Sequence, residues 1–185
     1  MPQWWSIPNA LTILRLGCIP FLVRAVLDGR HALALGLFFA AAATDGVDGW
    51  LARRLNQVTA VGAYLDPVAD KILMGAVYIV LAITGRSPWW LVWLIFGRDA
   101  LILLGAGLML LAGKVRRFPP SMWGKLSTLS QSVLGVSLLI RNLTSAAFVD
   151  WFCSIMIWVV AAATVWSGVQ YAWAGGRYMM KKEGL

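Results

Sequence analysis

The chain has 185 residues, of which 60% are hydrophobic and only 13% charged, and it carries a net charge of +8. Such an apolar excess excludes an ordinary soluble domain. Basic residues scattered between apolar runs exclude nucleic acid as a partner, which would ask for a dense basic face; orientation on anionic lipid, or an anionic substrate, accounts for the balance.

Runs of about 20 apolar residues suit helices that cross a bilayer, and no sheet-like alternation competes with them. The pattern predicts helices over 8–28, 32–55, 60–84, 88–112, 121–143 and 148–175. The expected fold is an all-α integral-membrane protein, a six-transmembrane-helix bundle forming one domain over 1–185. The first stretch is too long for a signal peptide and lacks a small-residue cleavage site, so it is expected to remain as a span. Pro8 suits a first helical turn with Ser6 as its cap. Trp4 and Trp5 before the first span, and Trp89 and Trp90 at the fourth, suit the membrane–water interface. His31 falls in the turn after the first span. Arg86-Ser87-Pro88 breaks spans three and four, and Phe118-Pro119-Pro120-Ser121 starts the fifth. Cys18 and Cys153 lie in different apolar segments and read as small buried hydrophobes.

The basic residues divide unevenly. Nine of them (Arg53, Arg54, Lys114, Arg116, Arg117, Lys125, Arg177, Lys181 and Lys182) fall on the side of the loops after spans two and four and of the tail. Only Arg24, Arg30, Arg86 and Arg141 fall on the other. The positive-inside rule then puts both termini, and the loop after span two, in the cytoplasm of a bacterial-type inner membrane.

Around that loop runs DGVDGWLARRLNQVTAVGAYLDPVAD, Asp45 to Asp70, with four of the eight acidic residues of the chain. Asp45, Asp48 and Ala52 are spaced to share one face of helix two; Gly62, Asp66 and Asp70 share one face of helix three. A short connection around Asn56 makes the two helices antiparallel neighbours, so two carboxylates on each are expected to face one gap. An ionised aspartate near the membrane interior costs at least about 2.5 kcal/mol, and four together repel. Pairing with Arg53, Arg54 and Lys71 would offset this. So would a divalent metal, for which carboxylate oxygens are hard ligands; with no His or Cys nearby, Mg²⁺, Mn²⁺ or Ca²⁺ is favoured over Zn²⁺. Gly46, Gly49 and Gly62 each cost a helix up to about 1 kcal/mol and clear room for a bulky ligand. On geometry alone three readings stand: metal-assisted phosphate chemistry, a cation transporter, and structural pairing between helices.

The order Asp45, two residues, Asp48-Gly49, two residues, Ala52-Arg53, eight residues, Gly62, three residues, Asp66, three residues, Asp70 resembles the signature of the CDP-alcohol phosphotransferase family, and every fixed position is met. IPNALTILR, Ile7 to Arg15, looks like the start of the first span in these enzymes. The resemblance implies transfer of a phosphoryl-linked group from a CDP-alcohol to a second alcohol with release of CMP; in the lipid branch the donor is CDP-diacylglycerol. It implies one or two divalent ions, Mg²⁺ or Mn²⁺, held by Asp45, Asp48, Asp66 and Asp70, with Asp70, supported by Asp66, as the catalytic base. It implies nucleotide contacts from Gly49, Arg53 and Gly62, a site open to the cytoplasm, and a homodimer. Asn9, Thr12 and Arg15 recur on roughly one face of the first span and are expected to reach the nucleotide or metal site, Asn9 and Thr12 as substrate contacts, with capping and inter-helix hydrogen bonds as the rival role.

The acceptor is less legible. LDPVADK and the stretch before it resemble phosphatidylglycerophosphate synthases and cardiolipin synthases alike, which use glycerol 3-phosphate and phosphatidylglycerol. Gly97-Arg98-Asp99 leans toward the second group, and Gly124-Lys125 toward the first. Glycerol 3-phosphate is the expected acceptor, with Arg98 and Lys125 as its cationic contacts. Arg98 and Asp99 are also expected to form a local ion pair.

Overall fold

The computed structural model describes residues 7–54, 60–111, 122–144 and 146–180, and side chains within these ranges except at 7–9, 45–54, 60–65, 106, 108–111 and 174–180. All regular structure among the described residues is helical: α1 Ile7–Leu27, α2 His31–Arg54, α3 Ala60–Ile83, α4 Trp89–Leu111, α5 Met122–Arg141 and α6 Ala147–Met180. Most ends fall within a residue or two of the sequence expectation. His31 is the first residue of α2 rather than part of the turn, and α6 runs to Met180, past Gly175 and Gly176. Trp4, Trp5, Ser6, the Asn56 connection and the Phe118–Ser121 start of span five lie outside the described residues.

The helices pack in two compact units. One holds α1, α2, α3 and the end of α5 from Leu138; the other holds α4, the rest of α5, and α6. In the first, α1 lies against both α2 and α3. Its buried residues Thr12, Arg15, Ile19, Leu22 and Val26 follow an alternating three–four spacing, the rhythm of a seam that faces neighbouring helices. Ala25, Ala34, Ala41 and Ala69 are buried in the same unit, and such small side chains let backbones approach closely. Leu73, Val77, Tyr78 and Leu81 of α3 complete its core. In the second unit α4 packs on α6, burying Leu91, Val92 and Ile95 of α4 and Cys153 and Val160 of α6. Trp90 of α4 packs against Trp158 of α6 with ring centroids 5.6 Å apart.

The partition of polarity is inverted relative to a water-soluble protein. Ile13, Phe21, Trp93 and Trp158 are exposed, whereas Thr12, Arg15, Arg98, Ser127, Gln131, Thr164 and Ser167 are buried. Hydrocarbon around the chain favours this arrangement, because polar groups then find partners only inside. Among the described residues two stretches are long and apolar enough to cross a membrane, Ala10–Leu27 and Ala147–Trp173.

Two of the turns close by the same device. Arg30 N–H donates to Ala25 C=O at 2.8 Å and Gly29 N–H to Val26 C=O at 3.1 Å; Arg86 N–H donates to Leu81 C=O at 2.7 Å and Gly85 N–H to Ala82 C=O at 3.0 Å. Gly29 (φ 71°) and Gly85 (φ 70°) take the left-handed conformation that this helix ending requires. We expect Gly29→Ala and Gly85→Ala each to destabilise the protein by about 1 kcal/mol. Gly36→Ala, in the body of α2 with nothing within 4 Å of its added Cβ, should be neutral or stabilising. Thermal unfolding in detergent reads the difference.

Candidate active site on the first and third helices

Asp66 and Asp70 stand one turn apart on α3. Between them, Ala69 is fully buried while Pro67 and Val68 are exposed, so this turn has a defined inner edge. Pro67 has no N–H to offer the carbonyl four residues back, and the helix continues through it.

Two side chains of α1 meet these carboxylates. Thr12 Oγ1 donates to Asp66 Oδ1 at 2.7 Å. Arg15 Nη1 donates to Asp70 Oδ1 at 2.9 Å, in an ion pair whose arginine side chain is 0% exposed and whose aspartate side chain is 50% exposed. Three residues on α1 advance about 4.5 Å and four on α3 about 6 Å, so the two bonds form successive rungs between helices running the same way. A charge-assisted bond of this kind is roughly twice as strong as a neutral one. It gives the buried guanidinium the partner that apolar surroundings demand.

The expected direct apposition of α2 and α3 falls on 45–65, outside the described side chains. Among the described residues the common neighbour of both helices is α1. Asp45, Asp48, Gly49 and Arg53 occupy α2 and Gly62 occupies α3; their side chains, and that of Asn9 on α1, lie outside the description. Arg15 is a cation beside these carboxylates that the expected set of Arg53, Arg54 and Lys71 did not include; the side chains of Arg53 and Arg54 lie outside the described residues. Sequence reasoning had placed Arg15 on the right face of α1 but had not assigned it to Asp70. Thr12 is fully buried behind Asp66, a place suited to holding the carboxylate from behind.

No group of three or more His, Cys, Asp or Glu side chains gathers among the described residues; two of the four expected metal ligands, Asp45 and Asp48, are outside them. The donor chemistry of the described pair suits a hard divalent cation: oxygen ligands one turn apart, braced by α1, with Asp70 half exposed.

A family model described as CDP-alcohol phosphatidyltransferase matches residues 5–166. This chain belongs to that family. Curated relatives span nearly the whole chain. It is 34% identical to the CDP-diacylglycerol–glycerol-3-phosphate 3-phosphatidyltransferase of Bacillus subtilis, over 90% of this chain and 93% of the relative. It is 37% identical to the enzyme of the same name from Escherichia coli, over 90% and 93%. The probable phosphatidylglycerophosphate synthase of Mycobacterium tuberculosis is 37% identical over 90% of this chain and 79% of its own length. The matched span of the CDP-alcohol phosphatidyltransferase model takes in all four signature aspartates, with Thr12 and Arg15.

The second unit of this CDP-alcohol phosphatidyltransferase has its own buried polar seam. Arg98, 9% exposed, donates from Nη1 to Asp99 Oδ1 at 2.8 Å and from Nη2 and Nε to Ser167 Oγ at 2.8 and 3.2 Å. Its guanidinium lies 6.0 Å from the Tyr171 ring centroid. The expected Arg98–Asp99 pair is present, and Ser167 is the partner that sequence reasoning missed. Gln131 Nε2 lies 3.3 Å from both Ser127 Oγ and Thr164 Oγ1. The signal was there: Thr164, Ser167 and Tyr171 recur at helical spacing within an apolar segment. Lys125, in the first turn of α5, is exposed. Ser167→Ala takes the acceptor from a buried guanidinium and should cost about 1–3 kcal/mol. Ser154→Ala, an exposed hydroxyl bonded to its own helix, should stay within about 0.5 kcal/mol of the parent in the same unfolding measurement.

Proposed function

We propose that this chain is an integral-membrane phosphatidyltransferase that moves the phosphatidyl group of CDP-diacylglycerol to glycerol 3-phosphate and releases CMP. The observation that carries the acceptor is the identity of 32–37% over 90% of the chain to relatives named for that reaction. The braced aspartates of α3 support the chemistry.

In this reading the chain is one catalytic domain spanning an inner membrane six times, with both termini and the site in the cytoplasm, and it works as a homodimer. The inverted polarity and the excess of basic residues on one side support that topology. Asp45, Asp48, Asp66 and Asp70 hold Mg²⁺ or Mn²⁺, one ion or two. The metal, when bound, neutralises charge on the diphosphate and on the departing CMP. Gly49, Arg53 and Gly62 receive the cytidine diphosphate part, and Asn9 contacts it from α1. Thr12, bonded to Asp66, stands beside the substrate from the same helix. Arg98 and Lys125 remain the cations suited to an acceptor phosphate, Lys125 the more available of the two because Arg98 already serves Asp99 and Ser167.

Asp70 takes the proton of the acceptor hydroxyl. The freed oxygen bonds to the lipid-side phosphorus. The bond from that phosphorus to the bridging oxygen breaks, and CMP leaves with that oxygen. A carboxylate held on one oxygen by Arg15 and half exposed has the orientation and access that this role needs.

Purified protein in detergent with Mg²⁺ and CDP-diacylglycerol should release CMP and form phosphatidylglycerophosphate with glycerol 3-phosphate. Asp70→Asn should lower the rate at least about 1,000-fold. Cardiolipin from phosphatidylglycerol as the only product would overturn the acceptor, and no CMP with any alcohol would overturn the enzyme.

A further inference from the structure

Arg15 is an expensive residue to bury. Its side chain is fully enclosed in the first unit, on a helix that is otherwise mainly apolar there, and it reaches a carboxylate that is itself half open. A pair serving only to join α1 to α3 would be better made from apolar residues of similar volume, as Ile19, Leu22 and Val26, buried on the same seam, are. The half-open partner is Asp70, the proposed acceptor of the hydroxyl proton.

We propose that Arg15 is a positioning residue for Asp70, and that it serves as a resident counter-cation that a divalent ion must share the carboxylate with. The inference rests on the proposed function for the role of Asp70, while the geometry stands apart from it. Arg15 Nη1 on Oδ1 fixes the carboxylate's rotation from the buried side. Thr12 does the same for Asp66 one turn away, without a charge. The two rungs differ in consequence. Thr12 orients without a charge, whereas Arg15 both orients and places a positive charge beside an expected metal ligand, where it weakens the hold on a second cation. Loss of Arg15 should therefore impair turnover yet tighten metal binding, a combination that a purely structural residue does not produce.

The test uses the full chain in detergent: parent, Arg15→Gln, Arg15→Lys, Asp70→Asn, and Arg15→Gln with Asp70→Asn. Thermal stabilisation by Mn²⁺ without substrate gives the concentration for half effect; CMP release gives kcat and KM for CDP-diacylglycerol. For Arg15→Gln we expect half effect at a Mn²⁺ concentration at least threefold lower, kcat down about 100-fold and KM within threefold. Arg15→Lys should restore the metal response of the parent and part of kcat. In the Asp70→Asn background, Arg15→Gln should no longer move the metal response.

An unchanged or weakened Mn²⁺ response in Arg15→Gln overturns the proposal, as does a shift that persists without Asp70, or a parent that does not respond to Mn²⁺. If Arg15→Gln does not fold, Arg15→Lys decides: a kcat at least threefold below the parent with the same metal response supports positioning, and an unchanged kcat overturns it. A parent that responds to Mn²⁺ but releases no CMP sinks the proposed reaction, and the metal titrations alone then decide the role of Arg15.

Discussion

A guanidinium enclosed among helices in an apolar medium has few stable arrangements open to it, because the charge cannot be left to solvent. In this chain that constraint ties Arg15 of α1 to Asp70 of α3. The pairing sets which face of α1 turns inward, and so which residues follow it into the core. It also sets the depth at which α1 and α3 are aligned, since Thr12 must reach Asp66 at the same register. Ile19, Leu22 and Val26 then pack where the polar pair has put them. A half-exposed carboxylate is thus held by a fully buried side chain.

The second unit meets the same constraint with a different solution. Arg98 is also buried, but its carboxylate comes from the next residue of its own helix, and a serine hydroxyl on α6 takes two further donors. Its charge is balanced locally, so the inter-helix link is made by a neutral group. The Ser127, Gln131 and Thr164 cluster adds a second neutral link between α5 and α6. One unit thus joins its helices by a charged pair, the other by hydroxyl and amide groups, and the acidic partner is the more open in the first, at 50% against 20% for Asp99.

Much of this was legible from residue order. Six apolar runs of helical length gave the helices to within a residue or two at most ends, because Gly-containing turns at 28–30 and 84–87 interrupt them sharply. α6 runs five residues past the expected end at 175 and through Gly175 and Gly176, since a glycine lowers helix propensity without forbidding the helix. The signature aspartates stood out because charge is rare in such a composition. The Arg15 partner of Asp70 did not: local spacing draws attention to Arg53, Arg54 and Lys71, which are near in sequence, whereas Arg15 is 55 residues from Asp70. A pairing between helices one and three depends on how tertiary packing rotates each helix, and spacing within one helix carries no such information. Ser167 was missed for the same reason, since a serine in an apolar run names no partner until the facing helix is known.

The seam of α1 has a consequence for how this enzyme can vary. Thr12 and Arg15 share one angular phase with Ile19, Leu22 and Val26, and each residue of a helix turns it by about 100°. A single-residue insertion or deletion between Arg15 and Ile19 would keep every side chain and still swing the polar half out of phase with the apolar half. Either the hydroxyl and guanidinium would leave their carboxylates or the greasy knobs would leave their sockets. This stretch is therefore closed to changes in length, an inherited spacing that substitution alone cannot repair.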